Sequence, residues 1–142
     1  MNKSFLLVFF QISSFLILAF TGSIFPSDII LLILGIIFLL FGFWAIAEMK
    51  FRFNVLPELL KNSSLVTSGP FKFVRHPIYT SLILITLIWI INDFSFMRLG
   101  VWILLFVILN IKLEYEEKIL TKQFPEYKDY KRNTNKLIPF IY

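Results

Sequence analysis

Residues Ile29 to Ala47 form the sequence IILLILGIIFLLFGFWAIA, and this uncharged stretch decides the fold class. A helix needs about 20 predominantly apolar residues to cross the hydrocarbon core of a bilayer. Glu48, Lys50 and Arg52 follow at once and mark the end of the apolar run. The stretch therefore predicts a transmembrane helix.

The composition of the whole chain also indicates a membrane protein. Of its 142 residues, 58% are hydrophobic and only 16% are charged. A soluble domain of this size has too much surface for its volume to bury so many apolar side chains. The formal net charge is +5, but every Lys and Arg except Lys3 and Arg98 lies in the stretches 50–75 and 112–136, which flank apolar segments. That distribution is typical of cytoplasmic loops beside anionic lipid, and it argues against a nucleic-acid partner.

Three more apolar segments predict three further membrane helices: 5–20, 78–91, and 97–109, the last continuing as a helix to about residue 120. Asp28 or Ser27 can cap the second helix, and Pro77 suits the first position of the third. The third and fourth segments are separated by a few residues and predict a helical hairpin. The predicted fold is an all-α polytopic membrane protein with about four transmembrane helices.

The basic residues also predict the orientation and the domain plan. Lys3, the middle loop and the tail are positive, whereas the two opposite turns contain only Arg98 as a basic residue. Both termini are therefore predicted to be cytoplasmic. Residues 1–142 form one predicted membrane domain, in which 1–62 hold two spans and an interfacial segment and 63–142 hold the hairpin and the tail. The mixed run 53–67 is predicted to lie along the interface. The apolar end, 137–142, is predicted to return to the membrane surface.

Several chemistries are excluded by residue counts. The chain has no cysteine, so disulfides, thiolate nucleophiles and Cys-ligated metals are impossible. His76 is the single histidine, which excludes a multi-histidine metal site within one chain. No metal is predicted.

The first polar cluster is SGPFKFVRHPIY, over residues 68–79. Gly69 permits backbone conformations that other residues resist. Arg75 and His76 come just before a predicted helix N-terminus, which favours an anionic group such as a carboxylate. The alternative is a basic juxtamembrane loop that binds lipid headgroups.

The second cluster lies where the fourth helix leaves the membrane. Lys112 and Glu116 are four residues apart and share one helix face, while Glu117 points about 100° away. Placing carboxyl groups at a bilayer edge costs free energy unless they form ion pairs or bind a ligand. The alternative is a solvated helix face. In a third cluster, Tyr127 and Tyr130 are three apart and either close a pocket for an adenine ring or anchor the chain at the interface.

The three clusters together resemble the isoprenylcysteine carboxyl methyltransferase family, which is related to the phospholipid methyltransferases. The resemblance runs over residues 63–142 and rests on the Arg75-His76-Pro77-x-Tyr79 element combined with Glu116-Glu117. It implies a catalytic hairpin followed by a cytoplasmic, cofactor-binding tail. It also implies an integral membrane methyltransferase that uses S-adenosylmethionine and acts on a lipophilic or lipidated acceptor.

The resemblance assigns roles to particular residues. Arg75 and Lys112 orient an anionic substrate or the cofactor carboxylate, and Glu117 orients its neighbours. The implied cofactor-binding residues are Leu65, Val66, Phe71, His76, Pro77, Ile78, Tyr79 and Glu116.

The sequence departs from the family pattern at three positions. Lys112 stands where the prenylcysteine enzymes carry an Arg, and it offers a point charge in place of a bidentate fork. Phe71 stands where relatives often have Tyr, and Pro125 where Gly is common. These departures leave the acceptor open, and with it the choice between O- and N-methylation.

Two other functions are compatible with the same fold. Membrane sterol reductases share an Arg-His-Pro-x-Tyr element and use NADPH, but they usually have Asn before the Tyr and an acidic residue soon after it. Here Ile78 precedes Tyr79, and Thr80, Ser81 and Leu82 follow. The third possibility is a non-catalytic lipid-binding membrane protein that retains the fold.

Overall fold

The computed structural model describes residues 3–50 and 64–138. Within these ranges the chain is all-helical, which confirms the all-α part of the predicted fold class. The elements are α1 (Lys3–Phe20), α2 (Ile29–Glu48), a 3₁₀ turn (Gly69–Lys72), α3 (Pro77–Asn92), α4 (Phe96–Gln123) and α5 (Tyr127–Asn133). The predicted interfacial segment 53–67 falls largely outside the described residues, as does most of the apolar end 137–142.

Local signals in the sequence account for the helix ends. The Asp28 carboxylate accepts hydrogen bonds from the backbone N–H groups of Ile30 and Leu31, at 2.9 and 3.0 Å, as expected of an N-cap. Pro77 is the first residue of α3, and α3 ends at Asn92. These predictions are confirmed to within a residue.

Two helices are long and apolar enough to cross a membrane, judged by length and composition within the described residues. They are α2 and α4, while α1 and α3 are apolar but shorter. Most of the α2 surface is exposed, including large side chains such as Leu40 at 61%. Such a surface suits contact with lipid, because water would not favour it.

The helices pack in two main pairs. α3 lies chiefly against α2, and α4 lies chiefly against α1. α3 and α4 also form the predicted hairpin, joined by residues 93–95, in which the Trp102 indole N–H donates to the Ile83 carbonyl at 3.2 Å. A row of leucines on α4, formed by Leu105, Leu109 and Leu113, is fully buried in the core. Because α1 and α2 each support one helix of the hairpin, they help to position anything built on it.

The turn between α3 and α4 is held by Arg98, which is only 2% exposed. Its Nη2 donates to the Trp89 carbonyl at 2.9 Å, and its Nη1 lies 3.8 Å from the Asp93 carboxylate. Gly22 makes room for the guanidinium, since a Cβ atom there would lie 1.6 Å from Nη1. This contact joins the α1–α2 loop to the hairpin turn.

Gly42→Ala is expected to destabilise the protein by disturbing the α2–α3 contact. A Cβ atom at Gly42 would lie 2.5 Å from the Ser81 hydroxyl oxygen, which donates to the Phe38 carbonyl at 2.7 Å. Overpacking of this kind costs about 1–3 kcal/mol, more than the roughly 0.5–1 kcal/mol gained from helix propensity. The thermal midpoint in detergent should fall.

Gly100→Ala is the matched control for that experiment. A Cβ atom at Gly100 has no neighbour within 4 Å, so only the propensity gain applies. Its thermal midpoint should stay level or rise. Equal midpoints for the two variants would contradict the close α2–α3 packing.

Candidate active site

The site begins at the turn that precedes α3. Gly69 has φ of 57°, the left-handed region that glycine tolerates best, as the sequence predicted. A side chain there would also meet the Glu48 carboxylate, at 2.8 Å from a Cβ atom. Ser68 donates its hydroxyl to that carboxylate at 2.5 Å. The end of α2 thus fixes the turn that leads to Arg75 and His76.

Arg75 joins three parts of the chain. Its Nε donates to the Glu117 carboxylate at 2.8 Å, and both side chains are almost fully buried. Its Nη1 donates to the carbonyls of Lys131, at 3.2 Å, and Thr134. Lys131 contacts the second Glu117 oxygen at 2.6 Å. Arg75 and Glu117 therefore hold α5 and the residues after it against α4 and the start of α3.

His76 lies between the two consecutive glutamates. Its Nε2 is 3.3 Å from Glu117 Oε1, and its Nδ1 is 3.8 Å from Glu116 Oε2. The ring stacks on Tyr79, with centroids 5.9 Å apart, and the Tyr79 hydroxyl donates to Glu116 at 2.6 Å. The predicted separation of the two faces is confirmed, since Glu116 faces Tyr79 whereas Glu117 faces Arg75. The result is one buried, polar cluster built from α3 and α4.

Lys112 extends this cluster toward α1. The side chain is 1% exposed, and its Nζ donates to the Gln11 amide oxygen at 2.9 Å. The same Nζ lies 5.1 Å from the centre of the Tyr79 ring, within the range of a cation–π contact. Gln11 was not among the predicted site residues. The available signal was an amide within an apolar run, since polar groups in membrane helices tend to find partners on neighbouring helices.

The tail contributes two tyrosines. Their rings are 5.7 Å apart, and the Tyr130 hydroxyl donates to the Phe71 carbonyl at 2.6 Å. Burial raises the pKa of Tyr130 to about 12 and raises the pKa of Tyr127 further, so both are neutral phenols at physiological pH. The Tyr127 hydroxyl is buried and has no hydrogen-bond partner among the described residues.

The remaining predicted site residues lie around this cluster. Pro77 and Ile78 form the first turn of α3, and Phe71 is buried in the 3₁₀ turn. Leu65 and Val66 are half-buried in the irregular segment before that turn. Within the described residues no hydrogen bond or ring contact joins Leu65 or Val66 to the cluster, so their predicted backbone role stays a prediction.

Fold and site together define a class of protein: an all-helical membrane protein whose ionisable side chains gather where α3 begins and α4 ends. A model of the isoprenylcysteine carboxyl methyltransferase (ICMT) family matches residues 28–122, and the chain belongs to this family. It is therefore a member of a family of membrane methyltransferases. A search of curated proteins gave no match.

The range of the match corrects one expectation from the sequence. The sequence alone placed the resemblance to this family within residues 63–142. The family match instead begins at residue 28 and so includes α2, while it ends at residue 122, before α5. The packing of α2 on α3 and the hydrogen bond from Ser68 to Glu48 give a structural reason why the match includes α2 together with the α3–α4 hairpin.

Proposed function

We propose that the protein transfers a methyl group from S-adenosylmethionine to a lipophilic acceptor, with a prenylcysteine-type carboxylate as the first candidate. Family membership supports the reaction class. The observation that carries the proposal is His76, which lies between Glu116 and Glu117 and stacks on Tyr79. The roles that the sequence predicted for these residues then fall within one cluster.

The chemistry of the cluster fits S-adenosylmethionine. The molecule has an amino group and ribose hydroxyls that need acceptors, and a carboxylate that needs donors. Glu116 offers an acceptor, and His76 offers a donor. The buried Tyr127 hydroxyl, which lacks a partner among the described residues, is a polar atom that a bound ligand can satisfy. The sulfonium supplies the methyl group when the cofactor is bound.

In this proposal the residues of the chain act by placement. Glu116, His76 and Tyr79 bind the cofactor, with Pro77 and Ile78 forming the helix start around it. Lys112 orients the anionic part of the acceptor, and Arg75 and Glu117 hold the tail that covers the site. Placement of two reactants can supply about 7–11 kcal/mol of a barrier, and this is the main contribution that the proposal assigns to the chain. The predicted direct role of Arg75 toward an anion stays a prediction, because its Nε and Nη1 already bind protein acceptors.

The proposal includes a membrane topology. We propose that α1 to α4 cross the bilayer, that both termini are cytoplasmic, and that residues 1–142 act as one domain with the catalytic part in 63–142. α4 is about 42 Å long at 1.5 Å per residue, so its last turns extend beyond a hydrocarbon core of about 30 Å. The acceptor then enters from lipid and the cofactor from the cytoplasm.

The proposal is tested by calorimetric titration of the detergent-purified protein with S-adenosylhomocysteine and with NADPH. Micromolar binding of S-adenosylhomocysteine alone supports the methyltransferase. Binding of NADPH alone indicates a membrane reductase. Binding of neither compound favours a non-catalytic lipid-binding protein.

Gln11→Leu is expected to weaken use of the acceptor while leaving the cofactor site intact. The change removes the hydrogen bond that holds the buried Lys112 ammonium, and a hydrogen bond to a charged group contributes about 1.5–3 kcal/mol. With a farnesylcysteine analogue as the methyl acceptor, KM should rise by about tenfold or more. S-adenosylhomocysteine affinity should change by less than about twofold.

Ser13→Leu is the control, since Ser13 lies on α1 outside the Lys112 contact. The expected result is an unchanged KM. If Gln11→Leu kept the wild-type KM, the result would contradict the proposed role of Lys112 in binding the acceptor.

A further inference from the structure

One face of α4 carries two adjoining depressions that none of the proposed cofactor-binding residues line. Val107, Ile111, Glu114, Lys118 and Lys122 recur every three or four residues and so share this face. From Val107 to Lys122 the face is about 22 Å long. It is apolar toward the membrane half of α4 and cationic toward the end of the helix.

The cationic end is a cleft of about 580 Å³ between α4, α5 and the segment after α5. The lysines that line it are Lys118, Lys122, Lys131 and Lys136. Lys131 contacts Glu117, and Lys136 contacts Glu114 at 3.6 Å. Within the described residues Lys118 and Lys122, one helical turn apart, pair with no acid or acceptor. The cleft thus has more positive charge than its own acids balance.

The apolar end is a groove of about 400 Å³ lined by Phe106, Val107, Asn110, Ile111 and Glu114. Glu114 lines both depressions, so the groove and the cleft adjoin. The groove lies on an exposed face of α4, where Val107 and Ile111 are more than two-fifths exposed. A molecule that fills both depressions needs an apolar chain and an anionic head.

We propose that this face of α4 binds an anionic phospholipid, with the phosphate in the lysine cleft and an acyl chain along the groove. The two uncompensated ammonium groups at adjacent turns match the several oxygens of a phosphate, whereas a single carboxylate is satisfied by one of them. Anionic lipids of the cytoplasmic leaflet attract basic side chains near the membrane surface. The cleft adjoins the polar cluster, because Arg75 and Glu117 also line it. Glu116, the proposed acceptor for the cofactor, faces Tyr79 and does not line the cleft. The inference rests on the membrane topology given under the proposed function but not on the proposed reaction.

The test is calorimetric titration of the purified full chain, in uncharged detergent, with dioctanoyl phosphatidic acid. Dioctanoyl phosphatidylcholine and inorganic phosphate are the companion probes. Phosphatidic acid should bind at least about tenfold more tightly than either companion, because one lacks the net charge and the other lacks the chain. Tight binding of inorganic phosphate would indicate that the ligand of the cleft is a soluble phosphate compound, and it would overturn the lipid assignment.

Lysine variants distinguish lipid binding at this cleft from a general attraction of the lipid to positive charge. Lys118→Gln with Lys122→Gln should weaken phosphatidic acid binding by about tenfold or more. Lys72→Gln with Lys128→Gln removes the same charge from exposed lysines outside the cleft and should leave the affinity within about twofold. Equal losses in the two double variants would reduce the effect to bulk charge and overturn the proposal.

Two further measurements test the apolar half and the independence of the site. Val107→Trp fills the groove and should lower phosphatidic acid affinity, while Leu104→Trp, exposed on α4 outside the groove, should not. Saturating S-adenosylhomocysteine should leave the phosphatidic acid titration unchanged. Mutual competition would assign the cleft to the cofactor site and overturn the separate lipid site.

Discussion

Replacing Glu116 by alanine is expected to abolish measurable binding of S-adenosylhomocysteine, with an affinity loss of at least about 100-fold. Glu116 accepts the Tyr79 hydroxyl at 2.6 Å, and its other oxygen faces His76. The variant therefore removes the acceptor proposed for the cofactor and leaves the Tyr79 hydroxyl without its partner. A hydrogen bond to a charged group contributes about 1.5–3 kcal/mol, so loss of two bonds from the cofactor to the Glu116 carboxylate accounts for the expected change in affinity.

The measurement is calorimetric titration in detergent, preceded by a thermal melt to establish that the variant is folded. Glu114→Ala is the matched control, since Glu114 lies on the same helix and its side chain is 65% exposed. It should keep wild-type affinity for S-adenosylhomocysteine. If a folded Glu116→Ala variant bound S-adenosylhomocysteine as tightly as the wild type, Glu116 would not be a cofactor-binding residue.

The helices were predictable because their signals are local. Asp28 caps α2 through its own side chain, and Pro77 starts α3 because its ring fits the first helical turn. The positive φ of Gly69 follows from the same kind of local preference. Such signals depend on a few neighbouring residues, so they can be recognised in the sequence without knowledge of the tertiary structure.

The packing of the helices was not predictable in the same way. α3 is apolar on nearly all sides, so its sequence does not indicate which face meets α2, α4 or lipid. The contact between Gly42 and Ser81 links residues on helices that are separated by a long connection. Only the folded chain shows that α2 supports α3 and that α1 supports α4.

The site was predictable in its residue types but not in its partners. The spacing of Lys112, Glu116 and Glu117 correctly divided them between two faces, because helical geometry alone decides that. Gln11 lies 101 positions from Lys112, and no spacing rule relates them. The same reason explains why the contacts of Arg75 with the tail carbonyls appeared only in the structure.

Breaking the pair between Arg75 and Glu117 is expected to give the largest loss of stability of any single substitution considered. In Arg75→Met the buried Glu117 loses its buried cationic partner and keeps only the half-exposed Lys131, and the Lys131 and Thr134 carbonyls lose their donor. Removal of one partner from a buried ion pair costs about 3–5 kcal/mol where the other charge stays uncompensated, and Lys131 places this loss toward the lower end of that range. The thermal midpoint should fall, and the tail around α5 should become sensitive to protease at low enzyme concentration.

The double variant Arg75→Met, Glu117→Met distinguishes the effect of an unpaired buried charge from the effect of a changed side-chain shape. Apolar side chains in place of both charges remove the uncompensated group, so the double variant should be more stable than Arg75→Met alone. Arg132→Met is the control, because its pair with Asp129 is about four-fifths exposed and contributes about 0.5 kcal/mol or less. If Arg75→Met were as stable as Arg132→Met, the buried pair would not hold the tail. S-adenosylhomocysteine binding should stay weak in the double variant although stability returns, because the positioning of His76 and of the tail depends on the charges themselves.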